Sequence, residues 1–230
     1  MRRIARVIQR TARTARTTRT NPMRSLPSLK SLASFALLVL LGCGKDIPHL
    51  DSPGTTIVCL GDSITAGYGL APEQAYPTLL AARLGTAVIN RGVSGDTAED
   101  GLARVDEVLA DDPWLVVVEL GGNDFLRRIA PERTEAALRQ ILDRLLAARV
   151  AVVLVELDLP FGGRYAEIYG RLGDDYGVPV LDDTLGDILT DSELKLDGDI
   201  HPNAAGHAVL AEALGDELAP LLKARRKLGR

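Results

Sequence analysis

Ser63 stands at the end of the apolar run Thr55–Leu60, in Gly61-Asp62-Ser63-Ile64-Thr65. A hydroxyl there can cap the helix that follows. It can also act as a nucleophile at the carboxyl edge of a sheet, where α/β proteins gather their chemistry. A nucleophilic serine needs a base, usually histidine, and the chain has three. His49 lies in a Pro-containing segment ahead of the body, and His207 reads as an exposed or core-edge residue of the last helix. His201, in Asp197-Gly198-Asp199-Ile200-His201-Pro202-Asn203, stands just before that helix, whose start is marked by Pro202 and Asn203. A nearby upstream carboxylate can hold its Nδ1–H and stabilise the imidazolium that forms. Asp197 and Asp199 both qualify.

Acyl transfer also needs donors for a tetrahedral oxyanion. Two further Gly-rich loops follow predicted strands, Asn90-Arg-Gly-Val-Ser94-Gly95-Asp96 and Gly121-Gly122-Asn123-Asp124. The candidate donors are the Ser63 and Gly95 backbone N–H groups and the Asn123 amide. Phe125-Leu126 and Leu159-Pro160-Phe161 could line an acyl groove or simply anchor their loops.

The elements that must carry these loops alternate. Strands are expected at Thr55–Leu60, Ala87–Asn90, Leu115–Leu120, Ala151–Leu157 and Val178–Leu181. Helices are expected at Gln74–Leu84, Thr97–Leu109, Pro131–Arg149, Arg164–Tyr176 and Ala204–Lys223. Runs such as Val116-Val117-Val118 lack polar alternation, as in strands covered on both faces of a parallel sheet. The expected fold is α/β, a three-layer α/β/α domain over 55–223 with a five-stranded, mostly parallel sheet, which puts all three loops at one edge.

Gly61-Asp62-Ser63, Gly95 in Ser-Gly-Asp-Thr, Gly-Gly-Asn123-Asp124 and His201-Pro-Asn resemble the four ordered blocks of the GDSL/SGNH hydrolases. The likeness covers about residues 55–222 and is closest to the branch of arylesterases, acyl thioesterases and lysophospholipases. It implies a flavodoxin-like sheet, cofactor-free and metal-free ester hydrolysis through an acyl-enzyme, and a small-molecule or lipid ester as substrate. A carbohydrate O-acetylesterase of the same family and a catalytically silent envelope-binding protein are the rival readings. One departure concerns the acid. The family's lies three residues before its histidine, where this chain has Gly198. Matching forward from Leu194-Lys195 prefers Asp197, with Asp199 as the alternative.

The first 42 residues carry nine Arg/Lys and no acid, so the remainder holds 18 basic against 31 acidic residues, a formal charge of −13. Nucleic acid, which needs clustered Lys/Arg, is not an expected partner, and no Cys/His spacing suggests zinc. Residues 1–42 read as an export signal whose apolar core, Phe35–Leu41, is too short to span a bilayer. Leu40-Leu41-Gly42-Cys43 resembles a bacterial lipobox. Cys43 is then the lipidated residue, 43–54 a tether, and the protein membrane-anchored in the cell envelope. The other cysteine, Cys59, reads as a small buried hydrophobe, with a disulfide to Cys43 as the alternative. Residues 224–230 form a basic tail.

Overall fold

The computed structural model describes residues 47–158 and 163–230. Five strands, β1 (Thr56–Gly61), β2 (Val88–Gly92), β3 (Pro113–Glu119), β4 (Ala151–Val155) and β5 (Val180–Leu181), form one sheet in the order β2-β1-β3-β4-β5. Every pairing is parallel, with Val58 beside Ile89 on one side and Val116 on the other. The central strands are apolar without alternation because both faces are covered, and β3 and β4 are buried throughout.

The helices are α1 (Ser63–Ala66), α2 (Tyr76–Leu84), α3 (Ala98–Ala103), α4 (Val105–Ala110), α5 (Gly122–Leu126), α6 (Pro131–Ala147), α7 (Ala166–Tyr176), α8 (Thr184–Thr190) and α9 (Ala204–Lys227). α2, α8 and α9 pack as one group, and α3, α4, α6 and α7 as another, which makes the three layers. Right-handed crossovers require this division. The step from β1 to β2 runs opposite to those from β2 to β3, β4 and β5, so its helix falls on the other face. α6 shows how the layers hold: Leu138, Ile141, Leu142 and Leu145 recur at helical spacing and are buried. Each contributes about 1.5–3 kcal/mol through burial.

Three expectations change. The helix expected at 97–109 is two, divided at Arg104, whose guanidinium turns inward to Asp96. Residues 50–54 are not a free tether, and within the basic tail, exposed from residue 226 onward, Arg225 turns inward. Arg225, on an α9 that continues to Lys227, is buried and donates to the carbonyls of Leu50, Ser52 and Gly54. Its guanidinium carbon lies 4.8 Å from the Trp114 ring centroid. One arginine therefore clasps the incoming chain onto the amino-terminal edge of the sheet. Residues 1–42 and Cys43 lie outside the described residues. Among those described, no helix is long and apolar enough to cross a membrane.

Candidate active site

The strand order reverses between β1 and β3, and the loops leaving their carboxyl ends frame a crevice there. β1 ends at Gly61, where a Cβ would lie 1.9 Å from Thr65 Oγ1 and 2.7 Å from the Glu119 carbonyl oxygen. Glycine alone permits so close a turn. Asp62 caps α1, its Oδ1 accepting from the Ile64 N–H at 3.0 Å. Ser63 thus becomes the first helical residue, with its N–H free of any acceptor among the described residues.

His201 arrives on a narrow hairpin. Lys195 and Pro202 form an antiparallel bridge, the Leu196 N–H donates to the His201 carbonyl at 2.9 Å, and Gly198 takes φ 68° at the turn. Asn203 fixes the base of the hairpin: its Oδ1 caps α9 and its amide donates to the Glu193 and Lys195 carbonyls. Held this way, His201 Nε2 lies 2.9 Å from Ser63 Oγ.

The structure places Asp199, not the preferred Asp197, behind the imidazole. Asp199 Oδ1 lies 2.7 Å from His201 Nδ1 and also accepts from the Ile200 and His201 N–H groups. The side chain folds back over its own backbone, which brings the carboxylate to Nδ1 at a two-residue spacing. Asp197 sits exposed in the turn. The His201 hydrogen bond holds the Asp199 carboxyl below its usual range.

Gly95 and Asn123 both line the crevice. No acceptor among the described residues takes the Gly95 N–H, and the exposed Arg127 pins the Gly95 carbonyl at 2.6 Å. Asn123 is differently occupied: its amide donates to Asp62 Oδ2 at 2.9 Å and to the Asp96 carbonyl at 3.0 Å. Asp124 holds the loop from below, accepting from the Ala98 N–H and the Thr134 hydroxyl.

Of the other sequence candidates, His207 is buried, its Nδ1 accepting from the Tyr76 N–H at 3.1 Å, and it does not reach the crevice. Cys59 is a free thiol inside the sheet, which burial pushes up to about 12. Sequence reasoning missed Glu119, the last residue of β3. It lies under the nucleophile loop and accepts from the Thr65 hydroxyl at 2.8 Å. Burial, then the neighbouring Asp62 charge, raises its carboxyl well above the usual range. Burial raises Asp62 as well, against the Ile64 N–H and Asn123 amide that favour its ionised form. An acid closing an otherwise apolar strand was the available signal.

The crevice opens into a cavity of about 530 Å³. Ile64, Phe125, Leu126, Leu157, Leu189 and Ile200 give it an apolar wall, and Tyr68 stands at its side. Phe125 is braced edge-on by Tyr165 at 5.5 Å. Leu159-Pro160-Phe161 lies outside the described residues. Among those described, no group of three or more potential metal ligands occurs.

Fold and site define an α/β hydrolytic enzyme built at a sheet's topological switch point, and the comparisons agree. The family model described as GDSL-like Lipase/Acylhydrolase matches residues 59–209, and the chain belongs to that family. It is 38% identical over 176 residues to the thioesterase 1/protease 1/lysophospholipase L1 of Escherichia coli (strain K12), covering 73% of this chain and 85% of that protein. It is 36% identical over 204 residues to the esterase TesA of Pseudomonas aeruginosa, covering 80% and 98%. The crystal structure of TesA superposes with a TM-score of 0.68 at 34% identity, covering 72% of this chain and 99% of that one. The protein is a hydrolase acting on ester bonds.

Proposed function

We propose that this esterase cleaves acyl esters or thioesters of medium or longer chains, lysophospholipids among them, through an acyl-enzyme on Ser63. The observation that carries the reading is the Ser63 Oγ–His201 Nε2 contact of 2.9 Å at the mouth of an apolar cavity. His201 takes the Ser63 proton while Oγ bonds to the substrate carbonyl carbon and the carbonyl π pair moves onto oxygen. The Ser63 and Gly95 N–H groups receive that oxyanion. Asn123 joins as a third donor by sharing an N–H now given to Asp96 or Asp62. Asp199 keeps the imidazolium oriented. The intermediate then expels the alcohol or thiol, protonated from Nε2, and water repeats the sequence to release the acid.

Substrate preference follows from the wall. A cavity of this volume falls within the range that buries a small ligand, and its six aliphatic and aromatic wall residues suit an acyl chain better than a sugar. The relatives named as a thioesterase, a lysophospholipase and an esterase support the same range of substrates. Attachment to a membrane through Cys43 is the second part of the proposal, supported by the apolar run and small residue preceding that cysteine.

A p-nitrophenyl ester series from acetyl to palmitoyl, run beside Ser63→Ala, tests the first part. Rates rising beyond acetyl and vanishing in the variant are expected. Activity confined to acetyl would favour the carbohydrate O-acetylesterase reading, and a variant as active as the parent would remove Ser63 from the mechanism. Mass spectrometry of the mature amino terminus tests acylation of Cys43.

A further inference from the structure

Among the described residues, Tyr68 is the aromatic side chain whose ring pairs with that of the proposed base. It stands on the short loop after α1, between Gly67 and Gly69, and is 48% exposed. Its ring centroid lies 4.4 Å from that of His201, with the planes tilted by 34°. A cation within about 6 Å of an aromatic centroid and over its face is attracted by the ring quadrupole. A general base accepts a proton in the reaction, so His201 gains a positive charge as it takes the Ser63 proton. The attraction therefore grows along the reaction coordinate, as an interaction must if it is to accelerate the chemical step.

We propose that Tyr68 is a further catalytic residue, whose ring face stabilises the His201 imidazolium that forms as Ser63 attacks. The inference rests on the Ser63–His201 reading and adds a second cation-stabilising group to Asp199. The charged and titratable groups facing His201 come from each packed element. Asp199 from its own hairpin holds Nδ1, Ser63 from the β1–α1 turn meets Nε2, and Asp62 and His207 both feel its charge. Tyr68 covers a face of the ring that none of these hydrogen bonds uses.

The ring can act in two opposed ways, which makes the experiment decisive. Favouring the cation raises the basicity of His201, whereas merely shielding it from water lowers it. The measurement is the pH profile of kcat and kcat/KM on p-nitrophenyl butyrate, followed at a pH-independent wavelength, for the parent, Tyr68→Phe and Tyr68→Leu. The acid limb of kcat/KM reports the free enzyme's base.

Tyr68→Leu is expected to lower the kcat plateau roughly 3- to 10-fold. It should also move the acid limb to lower pH by about half a unit. Tyr68→Phe should keep both values. The proposal is overturned if the limb stays fixed while the plateau falls, if it moves to higher pH, or if Phe is as damaging as Leu. Ser63→Ala assayed alongside separates the two levels. If that variant still hydrolyses the ester, the Ser63 reading falls and this inference with it; if it is dead and the Leu limb is unmoved, only this inference falls.

Discussion

The Thr65 hydroxyl donates to Glu119 Oε2 at 2.8 Å while meeting the Tyr76 hydroxyl at 2.9 Å, tying the turn that carries Ser63 to an acid buried under the sheet edge. Glu119→Ala leaves Thr65 without that acceptor in a dry site and should cost about 1–3 kcal/mol of stability. Glu119→Gln keeps an acceptor and removes the charge. The folded carboxyl is raised, so its contribution to stability is full below the unfolded value near 4.5 and declines as pH rises. Thermal melts between pH 5 and 9 should therefore fall less steeply for Glu119→Gln than for the parent.

Asp199→Ala should lower kcat by about 10³-fold or more, the loss typical of a missing triad acid. Asp197→Ala should leave kcat within about twofold, as expected for an exposed turn residue. Steady-state assays of the two variants side by side decide the assignment, and equal small effects would remove both from the mechanism.

Asn123→Ala should lower kcat by roughly 10²–10³-fold with a smaller change in KM, as for the loss of an oxyanion donor. Because its amide also ties Asp62 to the Asp96 carbonyl, the melting temperature should fall too. Asn123→Gln, which cannot reach the same two acceptors in the same geometry, should rescue neither.

His207 gives the fold an acid-sensitive point outside the crevice. Burial, then the charge of His201, lowers its pKa to about 4. A depressed pKa means stability that is fully present above the unfolded value near 6.5 and is lost as pH falls through the folded one. About 3 kcal/mol should disappear over that window. Urea midpoints measured from pH 7 to pH 4 should drop less in His207→Gln than in the parent.

The layers and the three catalytic-edge loops were legible because strand and helix periodicities differ and because glycine, asparagine and serine clusters stood at strand ends. The missed parts share one cause. α1 and α5 are too short to show a period, and each is fixed by a loop contact, the Asp62 cap in one case and the Asp124 bonds in the other. Asp199 stood second to Asp197 because the match ran forward from Leu194-Lys195, which takes no account of how a side chain folds over its own loop. In fact its own loop's N–H groups draw it back. Arg225 looked solvated because its three acceptors lie some 170 residues upstream, a distance that no local pattern spans.

The Arg225 clasp also gives the molecule two poles. Gly54 is packed against Pro113 at the beginning of β3, and Asn123 follows that strand's end. Seven strand residues, about 23 Å, separate the two ends. The chain at Leu50–Gly54 therefore enters the body at the pole opposite the mouth, so the segment that leads into the fold and the Ser63–His201 pair lie at opposite ends of the sheet.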